Sequence, residues 1–202
     1  MKKIMFNDRY GLTQAVIEGR KTMTRRMISG SLLLPEDRIE EASICPDGFV
    51  SIIANGGESL IEVKYSYKVG EIVAVAQSYR DIGAECFEPG ASILRTCELR
   101  HIAGWANKMF VKSELMPHQI RITGIKCERL QDISEADCLK EGLRQAYAES
   151  ILGMYGYIDH KGTGLWFNTP REAFAALIDK VSGRGTWASN PWVVAYEFEL
   201  VK

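Results

Sequence analysis

A short, unbroken apolar run at residues 72–76 (IVAVA) constrains the fold of this chain most strongly. A strand that is apolar at every position is typical of one buried on both faces, inside a sheet. Asn55-Gly56-Gly57 separates two further β-rich runs, at 49–54 and 60–67, and is a strong hairpin signal. The sequence therefore predicts an α+β fold that is mainly β.

Caps and apolar spacing predict three helices. The first begins at Asn7 or Asp8 and ends at Gly19, because glycine tolerates the left-handed conformation that closes a helix. The second begins after Ser134 and ends at Gly142. The third begins with a capping box at 169–172. Its core-facing stripe is Phe174, Leu177, Ile178 and Val181.

Further strands are predicted at residues 3–6, 22–28, 120–130 and 192–200, with a bulge at Gly124. In a regular strand at 22–28, Thr22, Thr24 and Arg26 share one face. The last strand is predicted to bury one face, formed by Trp192, Val194, Tyr196, Phe198 and Leu200.

The weakly patterned segments 29–46, 81–108 and 144–168 are interpreted as loop insertions, and 1–202 as a single domain. Five cysteines without a C-x-x-C spacing and three scattered histidines predict neither a disulfide framework nor a metal site. No cofactor is expected. The start lacks the apolar core of a signal peptide and no run reaches the length of a membrane span, so a cytoplasmic location is expected.

The segment Arg20 to Arg26 is the main candidate site, because four of its seven residues are basic. Thr22 and Thr24 lie between the two basic pairs, Arg20-Lys21 and Arg25-Arg26. Such a run is also typical of a solvated surface. With a formal net charge of −1 and a pI near 6.3, any contact with nucleic acid has to depend on a local patch.

The pattern G-x-K-x-x-T-x-R, present as Gly19, Lys21, Thr24 and Arg26, resembles the signature of the ASCH family. Residues 70–79, 116–117, 121–123, 128–142 and 173–200 agree, in order, with its longer, phage-type members. The resemblance implies a PUA-like β-barrel flanked by helices, and a partner that is RNA or a modified nucleoside or nucleotide. The oligomeric state is left open.

One hypothesis is binding. Arg20, Lys21, Arg25 and Arg26 would hold phosphates, Thr22 would add a hydroxyl, and Trp105 would stack on a base unless it lies half-buried under its own loop. Four phosphate contacts to a single strand predict a log–log salt slope of about −3.

The alternative is catalysis. One branch of the family, the bacterial N4-acetylcytidine amidohydrolases, uses a lysine, a threonine and a later glutamate, which the resemblance carries onto Lys21, Thr24 and Glu141. The alignment that assigns Glu141 is looser than that of Lys21 and Thr24, because Glu135 and Asp137 lie on the same predicted helix. Glu141 is also compatible with an ordinary exposed residue in the last helical turn. A third reading, an RNA nuclease, lacks a visible acid–base pair.

Lysine can activate threonine only when it is neutral. Its ordinary pKa is about 10.4, so activity at neutral pH requires a shift of roughly three units, or about 4 kcal/mol. Neighbouring arginines and burial lower the pKa of a lysine, whereas Glu141 would raise it. Arg26 is suited to stabilising an oxyanion.

Overall fold

The computed structural model describes residues 1–28, 39–45, 47–54, 59–83, 101 and 103–201. In chain order the strands are β1 (Lys3–Ile4), β2 (Met23–Met27), β3 (Ile39–Ile44), β4 (Phe49–Ala54), β5 (Ser59–Lys64), β6 (Ile72–Val75), β7 (Gln119–Arg129), β8 (Arg144–Gln145), β9 (Tyr155–Ile158), β10 (Gly164–Phe167) and β11 (Trp192–Leu200). The α-helices are α1 (Leu12–Ile17), α2 (Tyr79–Ile82), α3 (Glu135–Lys140), α4 (Pro170–Ser182) and α5 (Thr186–Ser189). Short 3₁₀ helices cover Asp8–Tyr10, Lys108–Phe110, Ser113–Leu115, Leu130–Asp132 and Glu149–Ile151.

The fold is mixed α/β and mainly sheet. A five-stranded sheet has the order β1-β6-β7-β11-β2, in which β1 and β6 are parallel and the other pairs are antiparallel. Two three-stranded sheets have the orders β3-β4-β5 and β10-β9-β8. Over the ranges given above, none of the sheets closes into a barrel, because β1 and β2 remain separate edges of the five-stranded sheet.

The interior position of the apolar run at 72–76 is confirmed. β6 lies between β1 and β7, and Val73, Ala74 and Val75 are fully buried. The register of β7 against β11 shifts opposite Gly124, as expected for a bulge there. β11 buries Val194, Tyr196 and Phe198 of the predicted face. Val193 and Ala195 on its other face are buried too: Val193 belongs to the main core, and Ala195 lines a pocket together with Asp137 and Lys140 of α3.

Two segments interpreted as loop insertions contain strands. Residues 39–44 form β3, which pairs antiparallel with β4, so the strand is stabilised by its partner's ladder rather than by its own weak alternation. The predicted hairpin of β4 and β5 is present, but its turn residues 55–58 lie outside the described residues. Residues 144–168 contain β8, β9 and β10, and Tyr157 of β9 belongs to the main core. Residues 84–100 and 102 of the third segment also lie outside the description.

Three helices position the site described below. α1 buries Leu12, Ala15 and Val16, as its spacing predicts. α3 is capped by Ser134, whose hydroxyl oxygen accepts from the Asp137 N–H at 3.1 Å. α4 begins with the predicted capping box. Its Phe174 and Leu177 are buried in the core. Among the residues described, no helix is long and apolar enough to cross a membrane.

Candidate ligand-binding cavity

The start of β2 and the end of α3 meet through the backbone. Lys21 and Glu141 form an isolated antiparallel bridge, and the Thr22 N–H donates to the Lys140 carbonyl at 2.9 Å. Gly142 has a φ of +99°, and a Cβ there would lie 3.2 Å from the Lys21 Cβ. The tight approach of the two segments therefore requires glycine at position 142.

The Lys21 amine is buried in this junction. Its Nζ lies 2.6 Å from Glu141 Oε2 and donates to the Glu141 carbonyl oxygen at 2.9 Å. The side chains are only 2% and 5% exposed, and Nζ stands 5.8 Å from the centre of the Phe6 ring. Two residues 120 positions apart in the chain thus form one buried ion pair.

Burial is the main influence on the protonation of Lys21. It lowers the pKa of the amine, and Arg26 and Arg25 lower it further by like-charge repulsion. The charge and the hydrogen bond of Glu141 act in the opposite direction but do not compensate, so the pKa of Lys21 lies below its ordinary 10.5. A lysine with a lowered pKa in a cleft is a candidate functional group.

Arg25 is also buried, and its partners are three carboxylates. Its guanidinium lies 2.7 Å from Glu128, 2.9 Å from Glu141 and 3.4 Å from Asp137. Burial acts to lower the pKa of Arg25, but Glu141 and Glu128 outweigh it and raise that pKa. Lys126 contacts both Glu128 and Asp137 at 2.9 Å, so every member of the cluster has a partner of opposite charge.

A cavity of about 160 Å³ opens beside the Lys21–Glu141 pair. Its polar lining is Asn7, Lys21, Thr24, Arg25, Arg26, Glu141 and Ser182. Its apolar lining includes Phe6, Leu12, Phe174, Leu177, Ile178 and Val181. This combination, an apolar wall with a few convergent polar groups, is typical of a small-molecule site.

The structure brings together five of the eight residues singled out from the sequence: Lys21, Thr24, Arg25, Arg26 and Glu141. Arg20, Thr22 and Trp105 do not line this cavity. Arg20 pairs with Glu18 at 2.6 Å. The carbonyl of Trp105 accepts from the Arg80 N–H at 3.0 Å, beside α2.

Sequence reasoning missed two parts of the site. The stripe on α4 was interpreted only as core, yet Phe174, Leu177, Ile178 and Val181 also form the apolar wall. Glu128 and Asp137, which neutralise Arg25, were not assigned to the site. The signal for them was indirect: a buried arginine requires carboxylate partners, and acidic residues lie on the strand and helix that the resemblance already connects to the site.

Comparison of the chain with protein-family models, with curated proteins and with solved structures found no match. Within the described part of the chain, no group of three or more histidine, cysteine, aspartate or glutamate residues is arranged to hold a metal ion.

Proposed function

We propose that this chain is a PUA-like domain of the ASCH type that binds a nucleoside, with the base in the cavity beside Lys21 and Glu141. One observation carries the proposal: a buried ion pair and Thr24 line a cavity of about 160 Å³ that also has apolar side chains from α1 and α4 in its lining. The apolar side chains of α4 would contact the faces of the base. Lys21, Thr24 and Glu141 would read its polar edge.

The charges of the site favour a nucleoside over an RNA backbone. Lys21 and Arg25 are buried and paired with carboxylates, and Arg20 is paired with Glu18. Arg26 is the exposed cation of the cavity, and its guanidinium donates to the Met5 carbonyl. The run of four basic residues therefore offers much less free positive charge than its sequence suggests, and the salt slope of about −3 expected for four phosphate contacts shrinks accordingly.

The binding test is a calorimetric titration with cytidine and with N4-acetylcytidine. Ile178→Trp fills the cavity from α4 without changing a polar group, and we expect it to weaken binding at least about tenfold. Lys180→Trp places the same side chain on the exposed face of α4 and is the matched control. Equal affinity in the two variants, or no binding by the wild type, would contradict the proposal.

A second function, hydrolysis of an N-acyl group on such a nucleoside, is favoured by the lowered pKa of Lys21 beside the Thr24-lined cavity. The neutral amine would take the proton of Thr24 as its oxygen attacks the amide carbonyl carbon. Collapse of the tetrahedral intermediate would break the C–N bond, and Lys21 would return the proton to the leaving nitrogen. Water would then hydrolyse the threonine ester, with Lys21 as the base. Arg26 is available for the oxyanion.

The hydrolysis test is incubation of N4-acetylcytidine with the wild type, Lys21→Ala, Thr24→Ala and Thr24→Ser, followed by chromatography. We expect cytidine from the wild type, a loss of at least about a thousandfold in both alanine variants, and partial activity in Thr24→Ser, which keeps a hydroxyl. Binding without turnover in the wild type would leave nucleoside recognition as the function and remove the hydrolase.

A further inference from the structure

Glu141 is held from both sides. Its Oε2 lies 2.6 Å from Lys21 Nζ, and its Oε1 lies 2.9 Å from Arg25 NH1. Rotation of this carboxylate toward the cavity would break at least one of the two ion pairs. A flexible side chain at the end of a helix is thereby fixed in one orientation.

Arg25 is in turn anchored by two carboxylates that do not line the cavity. Its Nε donates to Glu128 Oε1 at 2.8 Å, and NH2 lies 3.4 Å from Asp137 Oδ2. Three elements contribute to this anchor, because Arg25 lies on β2, Glu128 on β7 and Asp137 on α3. A planar guanidinium can bridge several carboxylates in fixed directions, which an ammonium group cannot do.

The anchor is electrically balanced. Lys21, Arg25 and Lys126 supply three positive charges, against Glu141, Glu128 and Asp137. Burial acts to raise the pKa of Asp137, but Lys126, Arg25 and Lys140 outweigh it and lower that pKa. Lys140 Nζ, which lies 3.6 Å from Asp137 Oδ1, also lies 2.8 Å from Glu197 Oε1. A balanced cluster of this kind can stay charged in a partly buried position.

We propose that Arg25 is a positioning residue for the cavity: by holding Oε1 of Glu141, it keeps Oε2 on the Lys21 amine. The inference rests on the proposed function for its purpose, but the geometry can be tested without any nucleoside. Arg25 also affects the protonation of Lys21 through its charge. Its positive charge disfavours the protonated amine, and it weakens the opposite effect of Glu141, which favours the protonated amine.

Other charged groups near Lys21 also affect its protonation, and their contributions have to be distinguished from that of Arg25. Arg26 on β2 is a second positive charge, and Glu141 at the end of α3 is the direct negative partner. Glu128 on β7 and Asp137 on α3 lie behind Arg25. α1 presents the Ala15 carbonyl to the Lys21 N–H, and the side chains of α1 and α4 that line the cavity are apolar except Ser182.

The direct measurement is the titration midpoint of Lys21, followed by NMR of the protein carrying ¹³C-labelled lysine. The Lys21 signal is assigned by its absence in Lys21→Met. Arg25→Lys keeps the positive charge but cannot bridge several carboxylates, so Glu141 is no longer held on the amine and we expect the midpoint to fall. Arg121→Lys, which makes the same change at an exposed arginine paired with Glu199, is the matched control and should leave the midpoint unchanged. An unchanged midpoint in folded Arg25→Lys would overturn the inference.

A second variant isolates the charge of Arg25. Arg25→Gln combined with Glu128→Gln also releases Glu141, loses the like charge and leaves no unpaired carboxylate at Glu128. Its midpoint should therefore lie above that of Arg25→Lys. A midpoint at or below that of Arg25→Lys would overturn the effect of the Arg25 charge on Lys21.

Arg25→Lys separates position from charge. It keeps the positive charge, so a fall in the Lys21 midpoint reports the release of Glu141 and not a loss of charge, and nucleoside affinity should fall about tenfold because Glu141 is no longer fixed. Wild-type affinity in this variant would overturn the positioning role. If the wild type binds no nucleoside, the proposed function fails, and the Lys21 midpoints still decide the role of Arg25.

Discussion

At the scale of single residues, the four cations of the basic run have four different environments. Lys21 is buried against Glu141, and Arg25 is buried among three carboxylates. Arg26 donates to the Met5 carbonyl and stands over the Phe6 ring, while Arg20 pairs with Glu18 near the surface. Neighbouring residues of the same charge are therefore expected to differ in what they contribute to stability and to ligand binding.

The two buried cations should differ in their effect on stability. Lys21→Met leaves Glu141 paired with Arg25, so we expect it to lower the free energy of unfolding by less than about 2 kcal/mol. Arg25→Met leaves three carboxylates with fewer partners and should cost about 3–5 kcal/mol. Urea denaturation of the two variants at neutral pH measures the difference. Equal costs would show that Arg25 does not hold the cluster together.

The composition of the site was predictable from the sequence only in part. Lys21, Thr24 and Arg26 stand within six residues of one another, so one motif indicates them together. Glu141 is 120 positions away from Lys21 and entered only through a family resemblance. The carboxylate partners of Arg25 depend on how β7 and α3 pack against β2, and no local sequence pattern predicts that packing.

At the scale of secondary-structure elements, α3 positions Glu141 beside Lys21. The helix is six residues long and depends on its ends, because a helix this short has little stability of its own. Ser134 caps its start, and Glu141 and Gly142 close it against Lys21. A change at the N-cap residue Ser134 should therefore alter how firmly Glu141 is held at the other end of the helix.

Ser134→Ala tests this coupling. Loss of the cap should lower the free energy of unfolding by about 1 kcal/mol and weaken nucleoside binding, because Glu141 is less well fixed. Thr169→Ala removes the equivalent cap from α4 and is the matched control, with a similar stability cost and a smaller change in affinity. Urea denaturation and calorimetric titration of both variants measure the two effects. Equal losses of affinity would mean that α3 has no special role.

Elements with a clear local signal were predicted well, and those stabilised by their partners were not. The capping box of α4 and the apolar run of β6 both appear where the sequence places them. β3 has a weak pattern and becomes a strand because β4 supplies its hydrogen bonds. Val193 and Ala195 on the second face of β11 are buried by parts of the fold that are distant in the chain, which the alternation of the strand alone cannot show.

At the scale of the whole molecule, the cavity depends on contacts between distant parts of the chain. Its lining comes from the segment after β1, from α1, from β2, from the end of α3 and from α4. Cys138 on α3 lies in the same core, with no exposed surface. The integrity of the cavity and the burial of this thiol should therefore be lost together.

Labelling of Cys138 should report on this common unfolding. Burial raises the pKa of its thiol to about 12, so the reactive thiolate is rare at pH 8. With iodoacetamide at pH 8, we expect Cys138 to react at least about a hundredfold more slowly than half-buried Cys45 until urea unfolds the protein. Peptide mass spectrometry measures both rates. Similar rates in the native protein would show that α3 opens locally.

The balance of charge beside the cavity also bears on how fast a ligand arrives. Electrostatic steering requires a field that extends beyond a Debye length, about 8 Å at physiological ionic strength. Lys21, Arg25 and Lys126 are each matched by a carboxylate within 3 Å, so their fields largely cancel at that range. A nucleoside moreover carries no net charge, so it should reach the cavity by unsteered diffusion, with an association rate almost independent of salt. Residence time, set by the apolar wall of α4, would then account for most differences in affinity between ligands.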